Sequence, residues 1–193
     1  MSTTTVDPVE RLLDNADQGR TIIKNPNVLR HDYIPERILH RDKQQELVTQ
    51  SLIPLYKKSI PPNLLVYGKP GTGKTLVIKK VLNQIQNRVD KNSYRIKIVI
   101  TNAKEQSNLY NVLVDLGRQL GLKPKKTPDD KLWLPNTGLS ISEVFNRILY
   151  IIEKNKINSV FVIDEIDHLA KLVDKTGKDI LYSITRANLK LKN

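Results

Sequence analysis

Residues 68–75 read Gly-Lys-Pro-Gly-Thr-Gly-Lys-Thr, which satisfies the spacing G-x-x-x-x-G-K-[ST] at every fixed position. Gly68, Gly71 and Gly73 allow backbone angles that turn N–H groups toward one point, and such a nest of dipoles holds phosphate oxygens. The apolar period that follows makes this loop the start of a helix, whose first amides lack an internal partner and attract anions. Lys74 is placed to reach β- and γ-phosphates, and the Thr75 hydroxyl is a hard oxygen suited to Mg²⁺. Lys69, Pro70, Thr72 and Leu76 complete the expected nucleotide contacts, so the implied cofactors are ATP or ADP and Mg²⁺.

A second constellation lies downstream. Phe161-Val-Ile-Asp164-Glu165 is an apolar run ending in two acids. In an open α/β sheet the carboxyl ends of strands line the ligand crevice. Asp164 is expected to hold Mg²⁺, directly or through water, and Glu165 to polarise the water that attacks the γ-phosphate. Glu165 and Lys74 are therefore the expected catalytic residues, and Thr75 and Asp164 the expected metal ligands. Two acids after a strand are by themselves an ordinary solvated turn; the phosphate loop upstream changes their meaning. Asp167 and His168 read as helix-start residues rather than ligands.

The elements of the chain must bring these two places together. Residues 64–67, Leu-Leu-Val-Tyr, run into the loop and are expected to form a buried strand. Residues 94–101 and 160–163 are the second and third expected strands. Helices are expected over 6–15, with Asp7 as cap and Pro8 at the first position. Others are expected over 42–58, with Leu47, Leu52, Ile53 and Leu55 near one face and Pro54 as a kink, and over 74–88. Further helices should cover 107–120, closed by Gly121, run from the capping box Ser140-Ile-Ser-Glu143 through residue 154, and span 179–191. Residues 25–37 read as loop, and the basic, proline-rich stretch 123–136 is expected to project. The alternation predicts an α/β fold with helices on both faces of a mostly parallel sheet.

Composition narrows the function classes. A chain of 193 residues can bury a core without covalent staples. It contains no Cys, which rules out disulfides, thiolate metal sites and cysteine nucleophiles, and its three His do not cluster as zinc ligands would. No apolar run is long enough to span a bilayer and the first residues lack an apolar signal core, so a cytoplasmic, nucleoid-associated place is expected, with no membrane partner. The net charge of +12 points to a polyanion such as DNA or RNA, while a lysine-rich solvated surface is the reading that charge alone leaves open.

Four segments carry a family likeness, and those at 32–44 and 179–188 make it narrower than P-loop ATPases in general. Asp32-Tyr-Ile-Pro35-Glu-Arg with His40-Arg41-Asp-Lys-Gln, the loop at 67–75, Val162-Ile-Asp-Glu-Ile-Asp-His168 and Asp179-Ile-Leu-Tyr-Ser-Ile-Thr-Arg186 resemble the AAA+ replication initiators of archaea, relatives of the eukaryotic origin recognition complex and its loading partner. The resemblance covers nearly the whole chain and implies a three-layer αβα P-loop (AAA+) core. It implies an ATP-dependent initiator module that recognises double-stranded origin DNA and meets other initiator subunits or the replicative helicase. Residues 1–41 would be an arm and adenine-side loop, with Tyr33, Ile34, Pro35 and Arg41 near the base. Residues 42–193 would be a partial ATPase domain, with a DNA-contacting insertion near 122–138 that carries Lys123, Lys125, Lys126, Lys131 and an exposed-looking Trp133. Asn102 is a further candidate for the γ-phosphate side, and Arg186 is expected on a helix surface or at DNA rather than as an arginine finger.

Initiators of this type continue into a sensor strand, an arginine finger, a helical lid and a winged helix. The chain is expected to stop before them, which leaves its own turnover open and leaves a sheet edge that invites association. Two other readings fit the same residues: a nucleotide- and DNA-binding scaffold that does not hydrolyse ATP, and a helper ATPase of the helicase-loader or transposition type.

Overall fold

Asp7 opens the first helix as expected. In a computed structural model that describes residues 7–19, 25–30, 33–57, 59–91, 95–126, 129–172, 182 and 184–186, its carboxylate accepts from Val9 N at 2.8 Å, with Pro8 at the first position of α1 (Pro8–Asp17). This helix belongs to the first of two units, Met1–Ile38; the second is Leu39–Asn193. Within the loop expected over 25–37 lies one 3-10 turn, Pro26–Leu29, capped by the Asn25 side chain.

The second unit begins with α2 (Asp42–Leu52), which tightens into a 3-10 turn, Ile53–Lys57, because Pro54 has no N–H to continue the α ladder. Leu52 and Leu55 are buried as expected, whereas Leu47 and Ile53 are exposed and Val48 takes the inward place instead. α2 packs on α3 (Lys74–Lys91), which buries Val77, Val81, Leu82, Ile85 and Val89 at helical spacing. β1 (Ile96–Asn102) and β2 (Asn158–Asp164) pair in parallel, with Ile96 opposite Asn158 and Asn102 opposite Asp164. These are the second and third expected strands; Tyr94 lies outside the described residues.

Between the strands the expected helix over 107–120 forms as α5 (Leu109–Leu120), and a short unexpected helix, α4 (Ala103–Gln106), precedes it. Ser107 turns left-handed and the Asn108 side chain accepts from Asn111 N, so the second helix starts from its own cap. Gly121 closes it at φ 118. The Ser140 half of the capping box forms: Ser140 Oγ accepts from Glu143 N at 3.1 Å and α6 (Ile141–Asn155) follows, while the Glu143 carboxylate pairs with Arg147. α5 lies against β1 and α6 against α5, around a core of Val99, Leu113, Leu116, Val144, Ile148 and Leu169. The last described helix is α7 (Ile166–Leu172). Of the expected helix at 179–191, only 182 and 184–186 lie within the described residues.

Two expectations are corrected. Residues 64–67 do not form a buried strand: Leu65 is 72% and Tyr67 88% exposed, and among the described residues nothing pairs with them. A strand is stable only when a neighbour takes up its edge groups, and among the described residues β1 and β2 pair only with each other. Of the segment 123–136, the described residues 123 and 132–134 do not project. Lys123 N donates to Leu132 O at 2.8 Å and Leu134 N to Lys123 O at 2.7 Å, and Leu122 and Leu134 are buried. They lie on Gly117 of α5, where an added Cβ would meet Leu134 at 2.8 Å and Leu122 at 2.9 Å, so close approach requires glycine. Trp133 is half-buried rather than exposed; its Nε1 donates to Pro124 O at 3.1 Å and the Arg147 guanidinium lies 5.7 Å from its ring centre.

Among the described residues, no helix is long and apolar enough to cross a membrane.

Candidate functional site: a glycine loop against an acidic strand end

The loop at 68–75 leads directly into α3, so the free amides of that helix's first turn sit beside the glycine bend. Gly71 at φ 73 and Gly73 at φ 80 are left-handed, with open space where a Cβ would stand; conformation, not crowding, demands glycine there. The loop is closed on itself by side chains. The Lys74 ammonium donates to Gly68 O at 2.9 Å and Lys69 O at 3.0 Å, and the Thr72 hydroxyl donates to Lys69 O at 2.8 Å. From outside, Arg41 Nη2 donates to Thr72 O at 3.0 Å. Lys69 and Pro70 are exposed and Leu76 is half-buried.

The opposing wall comes from β2, whose pairing with β1 carries Asp164 to the carboxyl end of the sheet. Thr75 Oγ1 donates to Asp164 Oδ2 at 2.9 Å. The other carboxylate oxygen accepts from Glu165 N at 3.0 Å. Glu165 turns left-handed at φ 52, which ends the strand and starts α7, and its side chain is exposed. A hydroxyl touching a carboxylate is a pair of hard oxygens of the kind Mg²⁺ accepts, so the donor set fits that ion.

The remaining expected residues are distributed as follows. Tyr33 is exposed and Ile34 and Pro35 are half-buried, all in the first unit. Asn102 spends its side-chain oxygen on capping α4, accepting from Lys104 N at 2.9 Å and Glu105 N at 3.2 Å. Lys123, Lys125, Lys126 and Lys131 are exposed, with the Lys131 ammonium 5.0 Å from the Tyr150 ring centre. The Arg186 guanidinium lies 4.6 Å from the Tyr182 ring centre.

Sequence reasoning missed the anchors of the basic segment. Arg147 donates to Asp130 O at 2.8 Å, to Trp133 O, and to Glu143. Asp129 accepts from Lys154 at 2.6 Å and Tyr150 at 2.9 Å. Those two bonds, Lys154 first, hold the Asp129 carboxyl below its ordinary range, and Asp129 in turn holds the Lys154 ammonium above its own. One signal was available: glycine inside a helix costs about 1 kcal/mol relative to alanine, so Gly117 should have flagged a close approach.

The comparisons agree in direction. The AAA domain family model matches residues 60–191. An ORC1-type DNA replication protein of Cenarchaeum symbiosum is 55% identical over 186 residues, 96% of this chain and 44% of that protein. One of Pyrococcus abyssi is 33% identical over 184 residues, 95% of this chain and 42% of that protein. The solved structure of the Aeropyrum pernix ORC1 protein in complex with DNA matches with a TM-score of 0.75 at 32% identity, covering 85% of this chain and 40% of that one. The chain thus spans under half the length of the curated relatives it matches.

Proposed function

Since the chain belongs to the AAA domain family and has its αβα P-loop fold, we propose that it is the nucleotide-binding part of a DNA replication initiator, one that binds ATP·Mg²⁺ and duplex origin DNA. The observation that carries this reading is the Thr75–Asp164 hydrogen bond, because it sets the end of a phosphate loop against a metal-ligating acid.

In this reading the amides of residues 68–75 and the first turn of α3 hold the β- and γ-phosphates, and Lys74 leaves its loop carbonyls to neutralise them. Thr75 and Asp164 hold Mg²⁺, which when bound neutralises phosphate charge. Glu165 accepts the proton of the attacking water. Lys123, Lys125, Lys126 and Lys131 neutralise DNA phosphates; the DNA complex of the Aeropyrum pernix relative supports DNA as partner. Other initiator subunits and the replicative helicase are the proposed protein partners, and the bound nucleotide is the switch that sets them.

Binding without turnover is the second reading. The exposure of Glu165 favours it, since a water held there is screened by bulk solvent. Calorimetric titration of ATP, with and without Mg²⁺, into wild type and Lys74→Ala tests the binding claim; equal heats for the two proteins would sink it. Phosphate release at saturating ATP then separates turnover from binding alone.

A further inference from the structure

We propose that Arg41 is a positioning residue of the phosphate loop, acting through the Thr72–Gly73 peptide rather than on the base. The inference rests on the reading of residues 68–75 as a triphosphate cradle. Its guanidinium donates to Thr72 O at 3.0 Å across 31 residues of sequence. The peptide is trans, so its C=O and the following N–H point in opposite directions. Holding the Thr72 carbonyl toward Arg41 therefore holds the Gly73 N–H on the far side of that peptide plane.

Gly73 needs such a constraint. It sits at φ 80 with nothing within 4 Å of its Cβ position; its carbonyl accepts from Val77 N at 3.0 Å, but the peptide on its N-terminal side is left to the Thr72 carbonyl to fix, and glycine has the widest backbone freedom of any residue. Gly68 O and Lys69 O are bonded to Lys74 from within the loop, whereas Thr72 O is held from outside it. The residue type at 41 points the same way. Arg41 stands at the N-cap of α2, where a short oxygen-bearing side chain is the usual choice, and it makes no capping bond. Instead the chain turns through His40 at φ 58, left-handed for a residue with a side chain, and the Arg41 side chain crosses to the loop. A guanidinium carries this contact with its charge, and a lysine in its place would keep the charge but lose the planar fork.

Magnesium tripolyphosphate, which has neither base nor sugar, is the discriminating probe. It and ATP·Mg²⁺, with GTP·Mg²⁺ alongside, are titrated into wild type, Arg41→Ala and Arg41→Lys, each checked by thermal melting. Arg41→Ala should weaken both ligands by the same factor, about tenfold for one charge-assisted hydrogen bond, and leave the ATP-to-GTP preference unchanged. Arg41→Lys should fall between, and decides the matter if the alanine variant does not fold. Unchanged tripolyphosphate binding beside weakened ATP binding would overturn the proposal in favour of a base contact; no change in either ligand would overturn it outright. If wild type binds neither ligand, the cradle reading itself falls first.

Discussion

Thr75 Oγ1 donates to Asp164 Oδ2 at 2.9 Å across 89 residues of sequence. One hydrogen bond thus joins the end of the glycine loop to the end of the strand that carries the acids. No pattern in either segment alone states that distance, and the chemistry proposed for the site depends on it.

The first expectation concerns magnesium. Thr75→Ala and Asp164→Asn should each abolish most of the Mg²⁺-dependent gain in ATP affinity while leaving Mg²⁺-free ADP binding within about threefold, a shift of about 0.7 kcal/mol. Titrations with and without Mg²⁺ read this directly. A variant that kept the full Mg²⁺ effect would remove its residue from the metal site.

Lys74 and Glu165 should separate binding from turnover. Lys74→Ala removes the cation that now bridges two loop carbonyls, and should weaken ATP by about tenfold to a hundredfold. Glu165→Gln should bind ATP as wild type does and lose phosphate release, if wild type shows any. Loss of binding in Glu165→Gln would place that residue elsewhere in the mechanism.

Trp133, the only tryptophan, reports on the basic segment. Arg147→Ala frees the Asp130 and Trp133 carbonyls and uncovers the ring, so emission should shift to the red with a loss of about 1–3 kcal/mol. Gly117→Ala should act similarly by pushing Leu134 and Leu122 off α5, at about the same cost. An unchanged emission maximum in both variants would contradict the anchoring described here.

The Asp129–Lys154 pair gives the same segment a pH window. The Asp129 carboxyl titrates below its ordinary 3.8, so its stabilisation is complete above that value and fades as pH falls through the lowered folded-state value. The Lys154 ammonium titrates above its ordinary 10.5, so its share is complete below that value and fades as pH rises past it. Trp133 emission should therefore hold steady between those limits and move at both extremes, and Asp129→Asn should blunt the acid step.

DNA contact by the segment is tested by salt. Lys125→Ala combined with Lys126→Ala should weaken duplex binding uniformly across sequences and reduce the slope of log affinity against log salt by about two. A slope equal to that of wild type would remove these lysines from the interface.

Much of the fold was legible because its signals are local. The Asp7–Pro8 start, the Ser140 cap, the Gly121 closure and the glycine loop are each satisfied within a few residues of themselves, and the structure forms all four. The tilt of α2 toward Val48 rather than Leu47 was only partly legible, since the apolar residues there permit two neighbouring stripes.

By itself, then, the sequence determined which residues bend, cap and carry charge, because those properties belong to single residues and their nearest neighbours. Tertiary structure alone decided that Leu122 and Leu134 fold the basic segment onto Gly117, that 64–67 lacks a strand neighbour among the described residues, that Arg41 reaches Thr72, and that Asp164 reaches Thr75. Each of these joins parts of the chain by packing or hydrogen bonding across a fold. The energy of such contacts depends on both partners at once, so neither segment announces it alone.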